Sequence, residues 1–173
     1  LAEVLCGWEH ECLWWDDTID RVGGLHAGGE TRAGREPETG ARCYAETWAK
    51  RTGFQIWGQD AERRYFGDKH WNEPLKWNRA AEREGKRRTV FVMSMGDWAE
   101  GRPEQREHLD RLWDLQLKTR WLIYLMLTKR PQLINKLCPL RSQRIWHGTT
   151  AENQHWLDIR WPFLRDVDSE VYW

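Results

Sequence analysis

Polar and charged side chains directly follow three apolar runs in the second half of the chain. They are Ser94 and Asp97 after the first run, Thr128, Lys129 and Arg130 after the second, and Thr149, Thr150 and Glu152 after the third. Carboxylates can exchange protons or hold amino and hydroxyl groups, and Lys and Arg pair with carboxylates or phosphates. Loops are generally polar, but the same placement in three successive units favours a functional site.

The elements that must position these side chains form a repeated unit of strand, polar loop and helix. The runs 89–94, 121–127 and 144–148 are apolar and predict buried strands. Helices are predicted over 103–118, 131–137 and 154–164, and a fourth strand is predicted to begin at Glu170. Such alternation predicts parallel strands joined by helices. We therefore predict an α/β fold, an incomplete parallel (β/α) barrel, with its site at the carboxyl ends of the strands.

The chain divides into a segment with little predicted structure, residues 1–42, and a partial-barrel domain, residues 43–173. The first segment contains a Gly-, Glu- and Arg-rich stretch, 23–40, whose few apolar side chains cannot offset the entropy cost of ordering. A helix is predicted over 43–51, and the aromatic-rich stretch 54–77 is predicted to be a loop. A short helix is predicted over 75–84, ending at Gly85.

Composition and charge narrow the classes of partner. Among 173 residues, 27 are Lys or Arg and 27 are Asp or Glu, so no long-range attraction to nucleic acid or to an anionic membrane is expected. No apolar run is long enough to cross a bilayer, and no signal-peptide pattern is present at Leu1. We expect a cytoplasmic protein with no membrane partner and with reduced cysteines. Of these, Cys138 is predicted to be a small buried residue.

Fourteen tryptophans allow two interpretations. In the first, they pack over a small core and find partners for their N–H groups. In the second, tryptophans that alternate with cationic residues stack on the bases of a nucleic acid. The candidates for such stacking are Lys69, Trp71, Lys76, Trp77 and Arg79. The sequence leaves both interpretations open.

Five blocks of sequence, in order along the chain, resemble those of a known family. They are 43–46 (Cys-Tyr-Ala-Glu), 69–78 (Lys-His-Trp-Asn-Glu-Pro-Leu-Lys-Trp-Asn), 90–97 (Val-Phe-Val-Met-Ser-Met-Gly-Asp), 127–131 (Leu-Thr-Lys-Arg-Pro) and 146–154 (Trp-His-Gly-Thr-Thr-Ala-Glu-Asn-Gln). On these blocks the chain resembles a phage- and prophage-associated family of uncharacterised proteins with a three-cysteine motif, similar in pattern to radical-SAM enzymes. The resemblance covers residues 43–173.

The resemblance implies an iron–sulfur cofactor, but the chain lacks two of the residues that would hold it. Family members carry Cys-x6-Cys-x2-Cys before Tyr-Ala-Glu, and three such thiolates can hold a [4Fe–4S] cluster whose open iron binds S-adenosylmethionine. Here Cys43 is the last motif cysteine, whereas Gly40 and Ala33 occupy the other two positions. Cys6 and Cys12 lie far upstream across a long loop. We expect the chain as written not to bind the cluster or S-adenosylmethionine.

The resemblance also implies roles for residues near the motif and at the strand ends. Cys43 would be the surviving metal ligand, and the residues predicted to bind the cofactor are Cys43, Tyr44, Ser94, Thr149 and Thr150. The residues predicted to be catalytic are Asp97, Lys129, Arg130 and Glu152. The implied function is that of a degenerate or truncated radical-SAM-like enzyme with an unidentified substrate and no indicated oligomeric state. The alternative is a non-catalytic module that binds nucleic acid or a phage partner.

The stretch before Cys43 carries a sign of a shifted reading frame. Family members have Trp-x-Gly-Cys-Thr-(Lys/Arg)-Val before the second cysteine. The stretch Leu-His-Ala-Gly-Gly at 25–29 can be encoded by CTG CAC GCG GGT GGA, which reads Cys-Thr-Arg-Val one base further on. We hypothesise that residues 21–40 are translated out of frame. The resemblance also implies further strands after Trp173, so a truncated C-terminus is expected.

The nucleotide sequence over residues 20–42 tests the frame hypothesis directly. We expect a shifted frame to encode cysteines there, because a frame change alters every codon and leaves the bases intact. Sequencing of this region on both strands is the measurement. If no shifted frame encodes cysteines there, the substitutions at Gly40 and Ala33 are real and the hypothesis is wrong.

Overall fold

Three strands form one parallel sheet in the order β1-β2-β3. A computed structural model describes residues 51, 53, 61–93, 96–169 and 171–172 of the chain. The strands are β1 Arg88–Val92, β2 Leu122–Thr128 and β3 Ile145–Thr149. Arg88 pairs with Leu122 and Tyr124 pairs with Ile145 along the two ladders. The three strand predictions are confirmed, with each end displaced by one or two residues.

Helices connect the strands as the alternating pattern predicts. They are α1 Asp68–Trp71, α2 Glu73–Glu84, α3 Arg106–Lys118, α4 Ile134–Leu137 and α5 Gln154–Arg165, and single 3₁₀ turns at Pro103–Gln105 and Pro131–Leu133 precede α3 and α4. Proline suits the first turn of a helix because its missing N–H would have no partner there. Asn153 caps α5, with its side chain accepting a hydrogen bond from the Trp156 backbone N–H at 3.0 Å. The helices predicted over 103–118, 131–137 and 154–164 are confirmed.

The loop prediction for 54–77 is wrong where it overlaps α1 and the first turn of α2. Asn72 ends α1 and immediately precedes α2, and Pro74 lies in the first turn of α2. Two consecutive short helices leave too few turns for an apolar periodicity to be visible in the sequence. The predicted stop of α2 is confirmed, because Gly85 adopts φ 64°, the left-handed conformation common at helix ends.

Helix α3 packs against one face of the sheet. On β2 the side chains of that face are buried, whereas the alternate side chains are half-buried. The hydroxyl groups of Thr119 and Tyr124 are hydrogen-bonded at 2.6 Å, and Gln116 Nε2 contacts Met126 Sδ at 3.4 Å. Because the alternate side chains are half-buried, neither face of β2 is fully exposed, which agrees with its apolar rather than alternating sequence.

Tryptophans contribute to the core beneath the sheet. Trp98 is completely buried and meets Trp113 edge to face at a centroid distance of 5.8 Å. Trp71 is also buried, its Nε1 donates to the Phe66 carbonyl at 3.2 Å, and the Arg111 guanidinium covers its ring at 4.5 Å. Core packing is therefore the correct interpretation for these tryptophans, and the stacking prediction is wrong for Trp71.

The described strands form an open sheet and do not close into a barrel. Where a fourth strand is predicted, Tyr172 forms a single parallel bridge with His147, while Glu170 and Trp173 lie outside the described residues. The segment 1–42 and all but the last residue of the predicted helix 43–51 also lie outside them. Among the helices that the structure describes, none has the length and apolar character needed to span a membrane.

His147 on β3 is a buried titratable residue in the core. It is 2% exposed, its ring lies 5.9 Å from that of Trp98, and its Nδ1 has no hydrogen-bond partner in the described part of the chain. Burial, with a smaller contribution from the Arg141 charge, lowers the pKa of His147 to about 4. Folding therefore requires the neutral imidazole.

Acidification should destabilise the fold through His147 before most carboxylates titrate. An unfolded histidine has a pKa near 6.5. Between pH 6.5 and about 4, His147 is therefore protonated in the unfolded chain and neutral in the folded chain. The free energy of unfolding should fall by about 3 kcal/mol across this window. Urea denaturation at a series of pH values measures it. The His147→Leu variant should lose this part of the pH dependence, and an unchanged profile in that variant would contradict the assignment.

Candidate functional site

The carboxyl ends of the three strands meet at one edge of the sheet, as parallel pairing requires. Strand β1 ends at Val92, and Met93 follows with φ 55°, a left-handed conformation that is uncommon for a non-glycine residue. The loop after β1 then carries Asp97, the loop after β2 carries Lys129 and Arg130, and Thr149 ends β3. This edge brings most of the predicted site residues together.

The carboxylate of Asp97 joins the loops that follow β1 and β2. Its Oδ1 accepts hydrogen bonds from Thr128 Oγ1 at 2.5 Å and from the Ala99 backbone N–H at 2.9 Å. Its Oδ2 accepts from the Lys129 backbone N–H at 3.1 Å and from Arg130 Nη1 at 2.9 Å. Four donors thus satisfy an acidic side chain that is only 4% exposed. Without them, burial of this charge would be prohibitive.

Glu152 is the centre of a second network, after β3. Its Oε1 lies 2.6 Å from Lys129 Nζ and accepts a hydrogen bond from Thr150 Oγ1 at 3.1 Å. Its Oε2 accepts from Arg160 Nη1 at 2.5 Å. The same Arg160 nitrogen also lies 2.8 Å from the Thr150 carbonyl and 3.0 Å from its hydroxyl. Arg160 thereby fixes both the loop backbone and the carboxylate.

Lys129 and Thr149 connect the two networks. The Lys129 backbone N–H donates to Asp97, whereas its side-chain ammonium pairs with Glu152. Thr149 Oγ1 donates to the Thr128 carbonyl at 2.7 Å, which ties the end of β3 to the end of β2. A continuous polar network therefore spans all three strand ends.

The two halves of the network differ in their access to solvent. The side chains of Asp97 and Arg130 are 5% and 13% exposed, and they form an ion pair with each other. The side chains of Lys129 and Glu152 are 21% and 22% exposed. A ligand approaching this edge would therefore meet the Lys129–Glu152 pair, while the Asp97–Arg130 pair fixes the loops beneath it.

Glu152 is held in its ionised form. Burial by itself raises the pKa of this carboxyl, but the hydrogen bond and charge of Lys129, its own backbone N–H and the charge of Arg160 together lower the pKa to about 2. At neutral pH the residue is therefore a hydrogen-bond acceptor and an anion. It is not a proton donor in the free protein.

Arg160 was not among the residues predicted for the site. It is 2% exposed, and its guanidinium lies over the Trp156 ring at 4.6 Å. The signal was present, because positions 156, 160 and 164 form the buried stripe of α5. A charged residue on such a stripe requires a buried partner, which here is Glu152.

A further buried ion pair supports the loop after β1. Arg63 Nη2 lies 2.8 Å from Glu100 Oε1, and their side chains are 1% and 6% exposed. Arg102 Nε approaches the same oxygen at 2.7 Å. Sequence reasoning missed this pair because its partners are 37 residues apart and neither lies on a periodic apolar stripe. It links the segment before α1 to the candidate site.

Three predicted site residues, Cys43, Tyr44 and Ser94, lie outside the described residues. Within the described ranges, no group of three His, Cys, Asp or Glu side chains could hold a metal ion. Cys138, a cysteine that the structure describes, is buried, as predicted. Its Sγ lies 3.5 Å from the Leu140 carbonyl oxygen. Burial raises the pKa of this thiol, which disfavours the thiolate that a metal needs. The motif positions 33, 40 and 43 themselves lie outside the described residues.

A known family model matches most of the chain. Residues 27–173 match the model described as a protein of unknown function, DUF5131. The chain belongs to this family. No curated protein and no solved structure gives a significant match. The family match spans every strand and helix described above, so the polar network at the strand ends lies within the family's shared region.

Removal of the Asp97 carboxylate should destabilise the fold strongly. The Asp97→Ala change leaves a mostly buried Arg130 and three other donors without their acceptor. The free energy of unfolding should fall by about 3 kcal/mol or more, measured by urea denaturation. The matched control is Asp110→Ala, which removes an exposed partner of Arg106 and should change stability little. Equal losses in the two variants would contradict the role of Asp97.

Proposed function

We propose that the carboxyl edge of the sheet binds a small ligand that carries both an ammonium and a carboxylate group. The protein would be a degenerate copy of a radical-SAM-like enzyme, with a partial barrel that keeps the binding edge. Support for the ancestry comes from the sequence resemblance, and support for binding comes from the geometry of Lys129 and Glu152. Phage association remains part of the same proposal.

The observation that carries the proposal is the partly exposed ion pair between Lys129 and Glu152, at 2.6 Å. A zwitterionic ligand can replace this pair by placing its carboxylate on Lys129 and its ammonium on Glu152. Both charges then keep a partner, which limits the desolvation cost of binding. Glu152 also retains Arg160, so the carboxylate stays in place when Lys129 turns to the ligand.

The other predicted site residues have supporting roles in this proposal. Asp97 and Arg130 are paired with each other and fix the loop that carries Lys129. Thr149 and Thr150 position the loop after β3 through their hydroxyl groups. None of these groups needs to move when the ligand enters, so the site is preorganised.

The three-cysteine loop does not fit a cluster in this chain. Cys43 stands alone at the motif positions, because Gly40 and Ala33 carry no thiol. We therefore propose binding without cluster chemistry for the chain as written. The sequence-based expectation that S-adenosylmethionine is not bound rests on the loss of the cluster. The Lys129–Glu152 pair offers the amino-acid group of this molecule a different binding mode that needs no cluster, so we propose it as the first ligand to test.

Calorimetric titration tests the binding proposal. S-adenosylmethionine and methionine should bind, whereas adenosine, which lacks the amino-acid group, should bind weakly or not at all. The Glu152→Gln variant should weaken binding of S-adenosylmethionine by about tenfold or more, because it loses one charge-assisted contact. The control is Asp114→Asn, which alters the exposed pair with Lys118. Equal affinity of wild type and Glu152→Gln, or no binding to wild type, would reject the proposal.

Anaerobic reconstitution with iron and sulfide tests the proposed ancestry. The chain as written should take up little iron, whereas a variant with Ala33→Cys and Gly40→Cys should take up about four irons per chain, because three thiolates then have the motif spacing. Visible absorption and iron analysis are the readouts. A variant with Ala33→Ser and Gly40→Ser is the matched control. If the cysteine variant gains no more iron than the serine variant, the radical-SAM-like ancestry is wrong, whatever the ligand titration shows.

A further inference from the structure

The amino ends of the strands carry a concentration of cationic side chains. Arg88 opens β1, and the residues just before the three strands include Lys86, Arg87, Arg120 and Arg144. Parallel pairing places all these positions at one edge of the sheet, opposite the candidate site. Adjacent strands lie about 4.8 Å apart, so the three starts fall within about 10 Å of one another. We call these five residues the basic edge.

Contacts across the ladders confirm this juxtaposition. The Arg88 backbone N–H donates to the Trp121 carbonyl at 3.0 Å, and the Tyr124 N–H donates to the Arg144 carbonyl at 2.7 Å. Burial lowers the pKa of the Arg144 guanidinium; Tyr124 opposes this shift, and the nearby charges of Arg87 and Arg120 add to it. The arginines therefore lie close enough to repel one another.

Within the described part of the chain, most of this positive charge has no carboxylate partner. Arg88 pairs with Glu84 at 2.5 Å. Arg144 Nη1 instead donates to backbone carbonyls at the end of α3 and the start of β2, namely those of Gln116, Thr119 and Leu122. Among the described residues, Lys86, Arg87 and Arg120 form no ion pair, and all three are exposed.

The opposite edge of the sheet shows that this arrangement is not a general property of the protein. There Lys129, Arg130 and Arg160 each pair with a carboxylate. The chain as a whole has zero formal net charge. The basic edge is therefore a local excess of cations on a chain without net charge, and an anionic partner would be attracted to this surface.

We propose that the basic edge binds a nucleic acid through its phosphodiester backbone, independently of base sequence. Four of its five cations are arginines, whose planar guanidinium groups bind phosphate oxygens through paired hydrogen bonds. Three closely spaced, exposed cations suit a chain of regularly spaced phosphates, and their neutralisation releases counterions from the nucleic acid. The proposed phosphate contacts do not depend on tryptophan stacking by the stretch 69–79. It is also independent of the proposed ligand site.

Fluorescence anisotropy with a labelled oligothymidylate of about 20 nucleotides tests the proposal. Wild type should bind at low salt, and log affinity should fall with log salt with a slope of about −2, as expected for about three neutralised phosphates of a single strand. A variant with Arg87→Gln and Arg120→Gln should bind at least about tenfold more weakly and show a slope nearer −1. Both residues are exposed, so thermal unfolding followed by circular dichroism should stay close to that of wild type. The Arg87→Gln single variant should fall between the two.

The matched control removes the same charge elsewhere on the surface. A variant with Lys136→Gln and Arg165→Gln, which changes exposed cations on α4 and α5, should bind within about twofold of wild type. The proposal is overturned if wild type shows no salt-dependent binding, or if the control loses as much affinity as the basic-edge variant. It is equally overturned if the protein binds vesicles of phosphatidylserine and phosphatidylcholine but not the oligonucleotide.

Discussion

The interaction on which the carboxyl edge depends is the buried carboxylate of Asp97. It receives donors from its own loop and from three consecutive residues that begin with the last residue of β2, so it fixes the relative position of two strand ends. In the loop after β1, the buried side chains of Trp98 and Ala99 add apolar packing to these hydrogen bonds. A buried ion pair with every lone pair used is costly to disrupt, and it defines one geometry rather than many. The position of the partly exposed Lys129–Glu152 pair depends on this buried ion pair.

The two edges of the sheet differ in whether their charged side chains are paired. At the carboxyl edge, cations and carboxylates neutralise one another in a hydrogen-bonded network that also includes Thr150 and buried Arg160. At the amino edge, Arg87 and Arg120 are exposed and form no ion pair with any residue that the structure describes. Parallel topology causes the separation, because it gathers everything that precedes the strands on one side and everything that follows them on the other. A protein without net charge can thus have one surface suited to a zwitterion and another suited to a polyanion.

Membership of an uncharacterised family gives the fold a context without assigning a chemistry. The cluster implied by the three-cysteine resemblance needs thiolates that this chain lacks at Gly40 and Ala33. The scaffold and the cofactor ligands are therefore separable features.

The sequence by itself determined the strands, the helices that join them and the edge at which their polar residues collect. Apolar runs and helix-start prolines are local signals, and parallel order follows from alternation. Only the tertiary structure decided how the charges pair. No local sequence pattern predicts that Asp97 forms a buried ion pair with Arg130 while Glu152 stays partly exposed. Nor does one predict that Arg63 pairs with Glu100, 37 residues away in the chain. Likewise, no local pattern shows that the ring of Trp71 is covered by the guanidinium of Arg111 from another helix. Pairing and burial depend on the distances between chain-distant groups, and those distances exist only after the sheet and its helices have packed.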